Sequence, residues 1–245
     1  MKGCRLVIDS PGEGAWNMAL DEALLESAQR EELATVRLYA WSKPTLSLGY
    51  FQAHADREQH RASENCTLVR RASGGGAILH DRELTYSIAL PRAHLLAQRA
   101  HQLYDAVHES LIEALAEMDV SAALFTGPRQ VEKTPFLCFQ RREPGDVLAG
   151  DFKIAGSAQR RQHGAILQHG SVLLARSEFA PELPGIAELF SREVKIEPLI
   201  HQWMPRLEAK LKIRLSPAVL PEPTIAAARE IARQKFGNSA WTLRR

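Results

Sequence analysis

The sequence predicts an α+β domain, a mixed and mostly antiparallel sheet with helices packed against one side. Two observations carry this. Short aliphatic runs bounded by Gly, Pro or Ser are interspersed with longer stretches whose apolar residues recur every three or four positions, so both strands and helices are present. They follow no strict strand–helix–strand rhythm, which disfavours a doubly wound parallel sheet.

CRLVID reads as the first strand. Residues 12 to 32 then place Trp16, Leu20, Leu24 and Ala28 four apart, the stripe of a helix facing a core. TVRLYAW and TLSLGYF follow as strands around the Ser42-Lys43-Pro44 turn, and a polar helix is expected from about Ala53 to Asn65. CTLVR and ELTYSIAL are strands on either side of the glycine run. From His94 to Met118, the residues Leu95, Leu103, Val107, Leu111 and Leu115 mark another buried helical stripe, ending near Asp119. FTGPRQVEKTPFLCFQRREPG, rich in Pro, Gly and charge, reads as a surface loop holding Cys138. DVLAGDFKIAGSAQ is a hairpin turning at Gly150-Asp151, and GAILQHGSVLLA is either a strand pair or one strand bulged at Gly170. Helices from about Pro198 to Leu211 and Glu222 to Phe236 follow without a convincing linker. Residues 1–245 therefore read as one catalytic-sized domain with a helical C-terminal portion from about 198.

The chain has 31 lysines and arginines against 29 acids, a formal net charge of +2, with both signs mixed throughout. That balance excludes the basic stripe of a nucleic-acid binder. No run approaches the roughly 20 apolar residues of a membrane span, and the start lacks a signal peptide's apolar centre, so a cytoplasmic protein with no membrane partner is expected. Cys4, Cys66 and Cys138 cannot all pair within one chain and lie in no CxxC motif, so neither a disulfide framework nor a metal centre is expected.

Two stretches carry chemistry. Gly74, Gly75 and Gly76 permit positive φ and let a ligand lie against bare amides aimed at a carbonyl or phosphate oxygen. The run fits neither GxGxxG nor GxxxxGK[ST], and alone it reads equally as a tight turn. Lys153, on a hairpin strand before Gly156 and Ser157, can direct an ammonium at developing negative charge; the plain alternative is an exposed strand lysine. His80 and His169 flank the two glycine motifs and either orient a pocket or serve structure. Arg70 and Arg71 either guide an acidic partner or cap strands, and strand alternation argues against one role for both.

NMALDEALL, RRASGGGAILHDRELTYSIALP, KIAGSAQ and ILQHGSVLL, in that order over about Val7 to Leu174, resemble the lipoate-protein ligase and octanoyltransferase members of the biotin/lipoate protein ligase superfamily. The resemblance implies that superfamily's α+β catalytic fold, a bound medium-chain acyl group and a lysine of a lipoyl domain as acceptor. TPFLCFQ and HDRELTYS resemble the cysteine-dependent octanoyltransferase branch, whose nucleophile is the cysteine of a CF pair, and that role is carried onto Cys138. Implied with it is transfer from octanoyl-acyl carrier protein, through a Cys138 thioester, to a lipoyl domain or glycine cleavage H protein, with no cofactor and no metal. Lys153 is carried over as its catalytic partner. Substrate contacts fall on Arg71, Ser73, Gly74, Gly75, Gly76 and His80 in the first block, and on Gly156, Ser157, His169 and Gly170 in the later ones.

Lys133, Arg141, Arg142 and Lys153 are near enough in sequence to lower the Cys138 pKa, whereas Cys4 and Cys66, on apolar strands, read as buried hydrophobes. At Gly76, where many transferases of this kind carry arginine, the sequence is more like the ligases. An ATP-dependent lipoate ligase, an octanoyl amidotransferase between lipoyl domains and a noncatalytic lipoyl-domain binding module stand as the alternative readings.

Overall fold

The computed structural model describes residues 2–128 and 135–245. The chain runs β1 (Lys2–Ile8), α1 (Gly14–Glu31), β2 (Ala34–Tyr39), β3 (Thr45–Leu48), β4 (Thr67–Arg70), β5 (Ile78–His80), β6 (Glu83–Leu90) and α2 (Ala100–Ala116). It continues through β7 (Ala123–Leu124), β8 (Val147–Ala149), β9 (Phe152–Gln162), β10 (Ala165–Leu173), α3 (Ile186–Phe190), α4 (Ile196–Leu211), β11 (Ile213–Pro217), α5 (Glu222–Ile231) and α6 (Ser239–Thr242). Eight strands form one sheet in the order β11-β1-β2-β6-β10-β9-β8-β7, and β4-β3-β5 form a second. In the large sheet only the β11-β1 and β1-β2 pairs are parallel, so the mixed, mostly antiparallel α+β fold is as expected.

Helices cover both faces of the large sheet, not one. Ile88 and Leu90 of β6 pack with Leu103 and Val107 of α2 and with Trp203 and Leu207 of α4. Ala89 of the same strand points the other way, into a layer with Leu20 and Leu24 of α1 and Ala228 of α5. The one-sided expectation failed because Glu83, Thr85 and Ser87 alternate with Leu84, Tyr86 and Ile88 like residues of a solvated face, yet all of β6 is buried. Its polar side chains are met by other polar groups: Glu83 Oε1 bonds His80 and accepts from Thr85 and Ser171, Thr85 accepts from Trp41 Nε1, and Ser87 lies beside Asp21 of α1.

Other elements differ locally. Residues 53–65 form two 3-10 turns, His54–Gln59 and Arg61–Ser63, because the segment has no apolar stripe and its side chains bind nearby backbone, Asp56 Oδ2 accepting from Ala53 N at 3.0 Å. The long helix begins only at Ala100: His94 Nδ1 accepts the Leu96 N–H at 3.2 Å and holds a 3-10 turn at Leu95–Gln98, leaving Leu95 exposed. TVRLYAW and TLSLGYF do not pair, since β2 and β3 enter different sheets. GAILQHGSVLLA yields one strand, β10, with unbroken register through Gly170 on both sides. Cys4 and Cys66 are buried as expected, and burial pushes the Cys4 thiol up to about 12. No helix among the described residues is long and apolar enough to cross a membrane.

Candidate active site

Cys138 opens a single 3-10 turn, Cys138–Gln140. This part of the expected surface loop is anchored instead. Ala77 N donates to Phe136 O at 2.9 Å and Cys138 N to Ala77 O at 2.7 Å, while Phe136, Leu137 and Phe139 are buried around the half-buried cysteine. The alternation of aromatic and aliphatic residues in PFLCF thus clips the thiol against the strand that follows the glycines.

Arg71 ties that glycine loop together. Its guanidinium is buried, with Nη1 donating to Ser47 O at 2.9 Å and Nη2 to Gly74 O and Gly76 O at 2.8 and 2.6 Å. Burial pushes its pKa down to about 10, the Cys138 thiolate opposing that fall and Arg141 adding to it. Gly75 has φ +95°, and a Cβ there would stand 2.9 Å from Arg71 Nη2 and 3.9 Å from Cys138 Sγ. Gly75→Ala is therefore expected to cost about 1–3 kcal/mol of stability and to slow acylation of Cys138 roughly 100-fold. Thermal melts and single-turnover acylation check this, with Gly74→Ala as the mild control because its nearest neighbour is Phe51 at 3.8 Å.

Lys153 of β9 also reaches the thiol. Its Nζ lies 3.9 Å from Cys138 Sγ and 2.7 Å from Asp146 Oδ2, the ion-paired side chains being 4% and 1% exposed. Burial works against the ammonium, but Cys138 and Asp146 outweigh it and the pKa rises. Asp146 also accepts from Tyr104 Oη at 3.0 Å and Glu143 N at 2.8 Å. Gly156 makes room for the pair, since a Cβ there would meet Lys153 Cε at 2.5 Å and Asp146 Oδ1 at 3.1 Å.

Behind the ion pair, Ser157 Oγ is bonded to Tyr86 Oη and, at 2.6 Å, to His108 Nε2. His108 Nδ1 donates to Gly145 O at 2.6 Å. Burial first, then the Lys153 charge, push His108 down to about 4, with the Gly145 hydrogen bond opposing them. Because the unfolded imidazole binds a proton near pH 6.5 and the folded one does not until about pH 4, folding stability falls with pH across that window. His108 is expected to withdraw about 2 kcal/mol between pH 7 and pH 5. Denaturant titrations at both values, with a smaller loss in His108→Asn, check the assignment.

The α1 side of the cleft is a second polar network. His169 Nε2 and Ser73 Oγ are 2.6 Å apart, and His169 Nδ1 lies 3.1 Å from Asp21 Oδ2. Asp21 also accepts from Tyr39 Oη and Arg37 Nη1 at 2.9 and 3.0 Å, and Arg37 Nη2 donates to Asn17 Oδ1. Burial would raise the Asp21 pKa, but the His169 hydrogen bond and the Arg37 charge hold it below the carboxylate range. His80 is stacked 3.8 Å from Trp41 and spans Ser47 Oγ and Glu83 Oε1 at 2.7 and 2.6 Å, which makes the HxxE spacing a clamp between the two sheets.

These groups enclose a cavity of about 290 Å³ whose wall includes apolar Met18, Ile78 and Phe139 beside Cys138 and Lys153. Arg71, Gly74, Gly75, His80, Gly156, Ser157, His169 and Gly170 also line it. Ser73 and Gly76 stand outside the wall. Ser73 is hydrogen-bonded to His169, which does line it, and the space beside Gly76 holds the Arg141 guanidinium, 2.9 Å from where a Cβ would be. Arg142 reaches Asp151 at 3.4 Å, and Lys133 lies outside the described residues. Arg70 does not face a partner, because its buried guanidinium binds the carbonyls of Gly49, Tyr50, Gln52 and Thr242. Asp146, Asp21 and Arg37 are not among the site residues expected from sequence; of the three only Asp21 lies inside a family-like block, NMALDEALL. Among the described residues no cluster of three or more His, Cys, Asp or Glu is placed to hold a metal ion.

Fold and site together define an α+β enzyme scaffold with an enclosed cleft in which one thiol meets two buried cations. The chain belongs to the lipoyl protein ligase A/B catalytic domain family, which matches residues 13–181. Octanoyltransferase LipM of Geobacillus kaustophilus is 33% identical over 94% of each chain, and that of Brevibacillus brevis 30% identical over the whole of both. A Thermoplasma acidophilum protein described as a lipoate protein ligase, solved with bound lipoic acid, superposes over the whole of both chains with a TM-score of 0.80 at 21% identity, which establishes the shared fold.

Proposed function

We propose that the chain is a cysteine-dependent octanoyltransferase that takes octanoate from octanoyl-acyl carrier protein onto Cys138 and delivers it to a lysine of a lipoyl domain or of glycine cleavage H protein. The observation that carries this is the Cys138 sulfur at the cleft wall, 3.9 Å from the Lys153 ammonium, with the Arg71 guanidinium also beside Gly75. The octanoyltransferase name of both relatives supports it.

In the first half-reaction the Cys138 thiolate attacks the donor's thioester carbonyl. Its new C–S bond forms as the bond to the carrier sulfur breaks, and the departing thiolate takes a proton from solvent. In the second, the neutral acceptor amine attacks the acyl-enzyme, the C–N bond forms, the C–S bond to Cys138 breaks and the surplus proton leaves to solvent. Lys153, held as an ammonium by Asp146, stabilises both the thiolate and the oxyanion rather than acting as a base. A thioester donor is already activated, so neither step needs ATP.

Intact-protein mass spectrometry after mixing with octanoyl-acyl carrier protein, without ATP, tests the reading. One octanoyl adduct released by hydroxylamine is expected. Modification of a lipoyl domain solely when free acid and ATP are supplied would assign the chain to the ligases instead.

A further inference from the structure

Outside the cleft, beside the glycine loop, aromatic rings and cations alternate along one strip. Phe51 is 71% exposed and meets Tyr50 edge-on at 4.8 Å; Tyr50 lies 6.0 Å from Trp241. Arg244 sits 3.8 Å over Tyr50 and 3.9 Å over Trp241, Arg245 is 5.5 Å from the Phe51 ring, and Lys235 is 4.4 Å from Trp241. Arg70 lies beneath, and Arg160 of β9 reaches Ala72 O at 3.4 Å.

Glu22 is shared by Lys235 and Arg160, at 2.5 and 3.9 Å. Neither Arg244 nor Arg245 has a carboxylate within ion-pair distance among the described residues. The local field is accordingly positive. The Tyr50 phenol is held below its ordinary range by the Arg244 hydrogen bond and charge, with Arg245 and Arg160 adding, and Arg70 is lowered by burial and then by Arg244 and Arg245. Self-repulsion of this kind costs folding free energy, is offset in part by Glu22, and is relieved further when an anion arrives. The strip also adjoins the site: a Cβ on Gly74 would touch Phe51 at 3.8 Å, and one on Gly75 would lie 3.9 Å from Cys138 Sγ.

We propose that this strip docks the acyl donor, an acidic carrier protein whose acyl group rides on a phosphodiester-linked arm. Carboxylates of the carrier and the phosphodiester face Arg160, Arg244 and Arg245, while the arm passes Phe51 and Gly74 into the cleft. The inference rests on the transferase reading above and names where its first partner binds. The rim favours donor over acceptor because the acceptor delivers an amine, whose reacting end gains nothing from a positive entrance, whereas the donor arm carries an anion.

The test uses the full chain, wild type and Arg244→Gln/Arg245→Gln, with three substrates: octanoyl-acyl carrier protein, the octanoyl thioester of N-acetylcysteamine and a lipoyl domain. Expected is a rise of about tenfold in KM for the carrier, with loss of most of its salt dependence between about 0.05 and 0.3 M. Cys138 acylation by the small thioester, which has neither phosphate nor protein, stays unchanged, as does KM for the lipoyl domain. Arg160→Gln, on a different element, reproduces the carrier effect in part. An unchanged carrier KM in both variants overturns the proposal, and so does a raised KM for the lipoyl domain in its place. If the wild type forms no thioester even from the small donor, the transferase reading itself falls, an outcome separable because that donor bypasses the strip.

Discussion

Cys138→Ala is expected to lower acyl transfer by about 10⁴-fold or more, with no acyl-enzyme detectable and the fold intact. The size follows from the chemistry. The two half-reactions share one nucleophile, and no other thiol reaches the cleft, since Cys4 is buried on β1 and Cys66 is buried just before β4. The fold survives because the interactions that place residue 138 are backbone bonds to Ala77 and the burial of Phe136, Leu137 and Phe139, none of which needs the sulfur. Melting temperature should move by no more than about 2–4 °C, the shift that a change of ~1 kcal/mol brings in a chain of this size. Cys138→Ser separates nucleophilicity from shape. Its hydroxyl fits the same space and stays un-ionised beside the same cations, so a near-total loss there assigns the effect to the thiolate. Transfer that persists in Cys138→Ala at even a hundredth of the wild-type rate would remove the covalent route.

Much of this site was legible because its residues sit in short blocks whose chemistry is local. RRASGGG needs glycine at 75 and 76, where the Arg71 and Arg141 guanidiniums crowd the backbone, and KIAGS needs a glycine where Lys153 folds over Gly156. The cysteine was legible through the CF pair, not through its surroundings. Asp146 was not, and the reason is geometric. A plain hairpin turning at Gly150-Asp151 pairs Leu148 with Lys153, as observed, but a register shift between Val147 and Leu148 sets Val147 against Ala155. That one-residue slip carries Asp146 over Gly156, and nothing in GDVLAGDFK announces it. Asp21, Arg37 and Tyr39 were hidden differently. Their charges occur in strands and helices as solvated faces do, and only the packing of α1 over β2 and β6 turns them into a buried network with His169.

Asp146→Ala carries the second large effect, on stability and on the pH profile together. Removing the carboxylate leaves the Lys153 ammonium buried with no formal counter-charge while the thiol is protonated, and breaking such a pair typically costs about 3–5 kcal/mol. For a chain of this length that is a fall in melting temperature on the order of 10 °C. With Cys138 left as the main group opposing burial and Asp146 gone, the Lys153 pKa drops from its raised value. Activity that needs the ammonium is then lost at lower pH, so the alkaline limb of the rate profile moves down while the wild type holds its rate well above neutrality. A purely structural role for Asp146 predicts the stability loss without the moved limb. The double variant Asp146→Leu/Lys153→Met completes the cycle. Two apolar side chains of similar volume replace a pair whose charging was costly, so stability should return to within about 1–2 kcal/mol of wild type. Transfer should not return, because the thiolate and the oxyanion then face no cation from β9. Recovery of activity along with stability would show that the pair serves the fold alone and would shift the electrostatic role at Cys138 to Arg71.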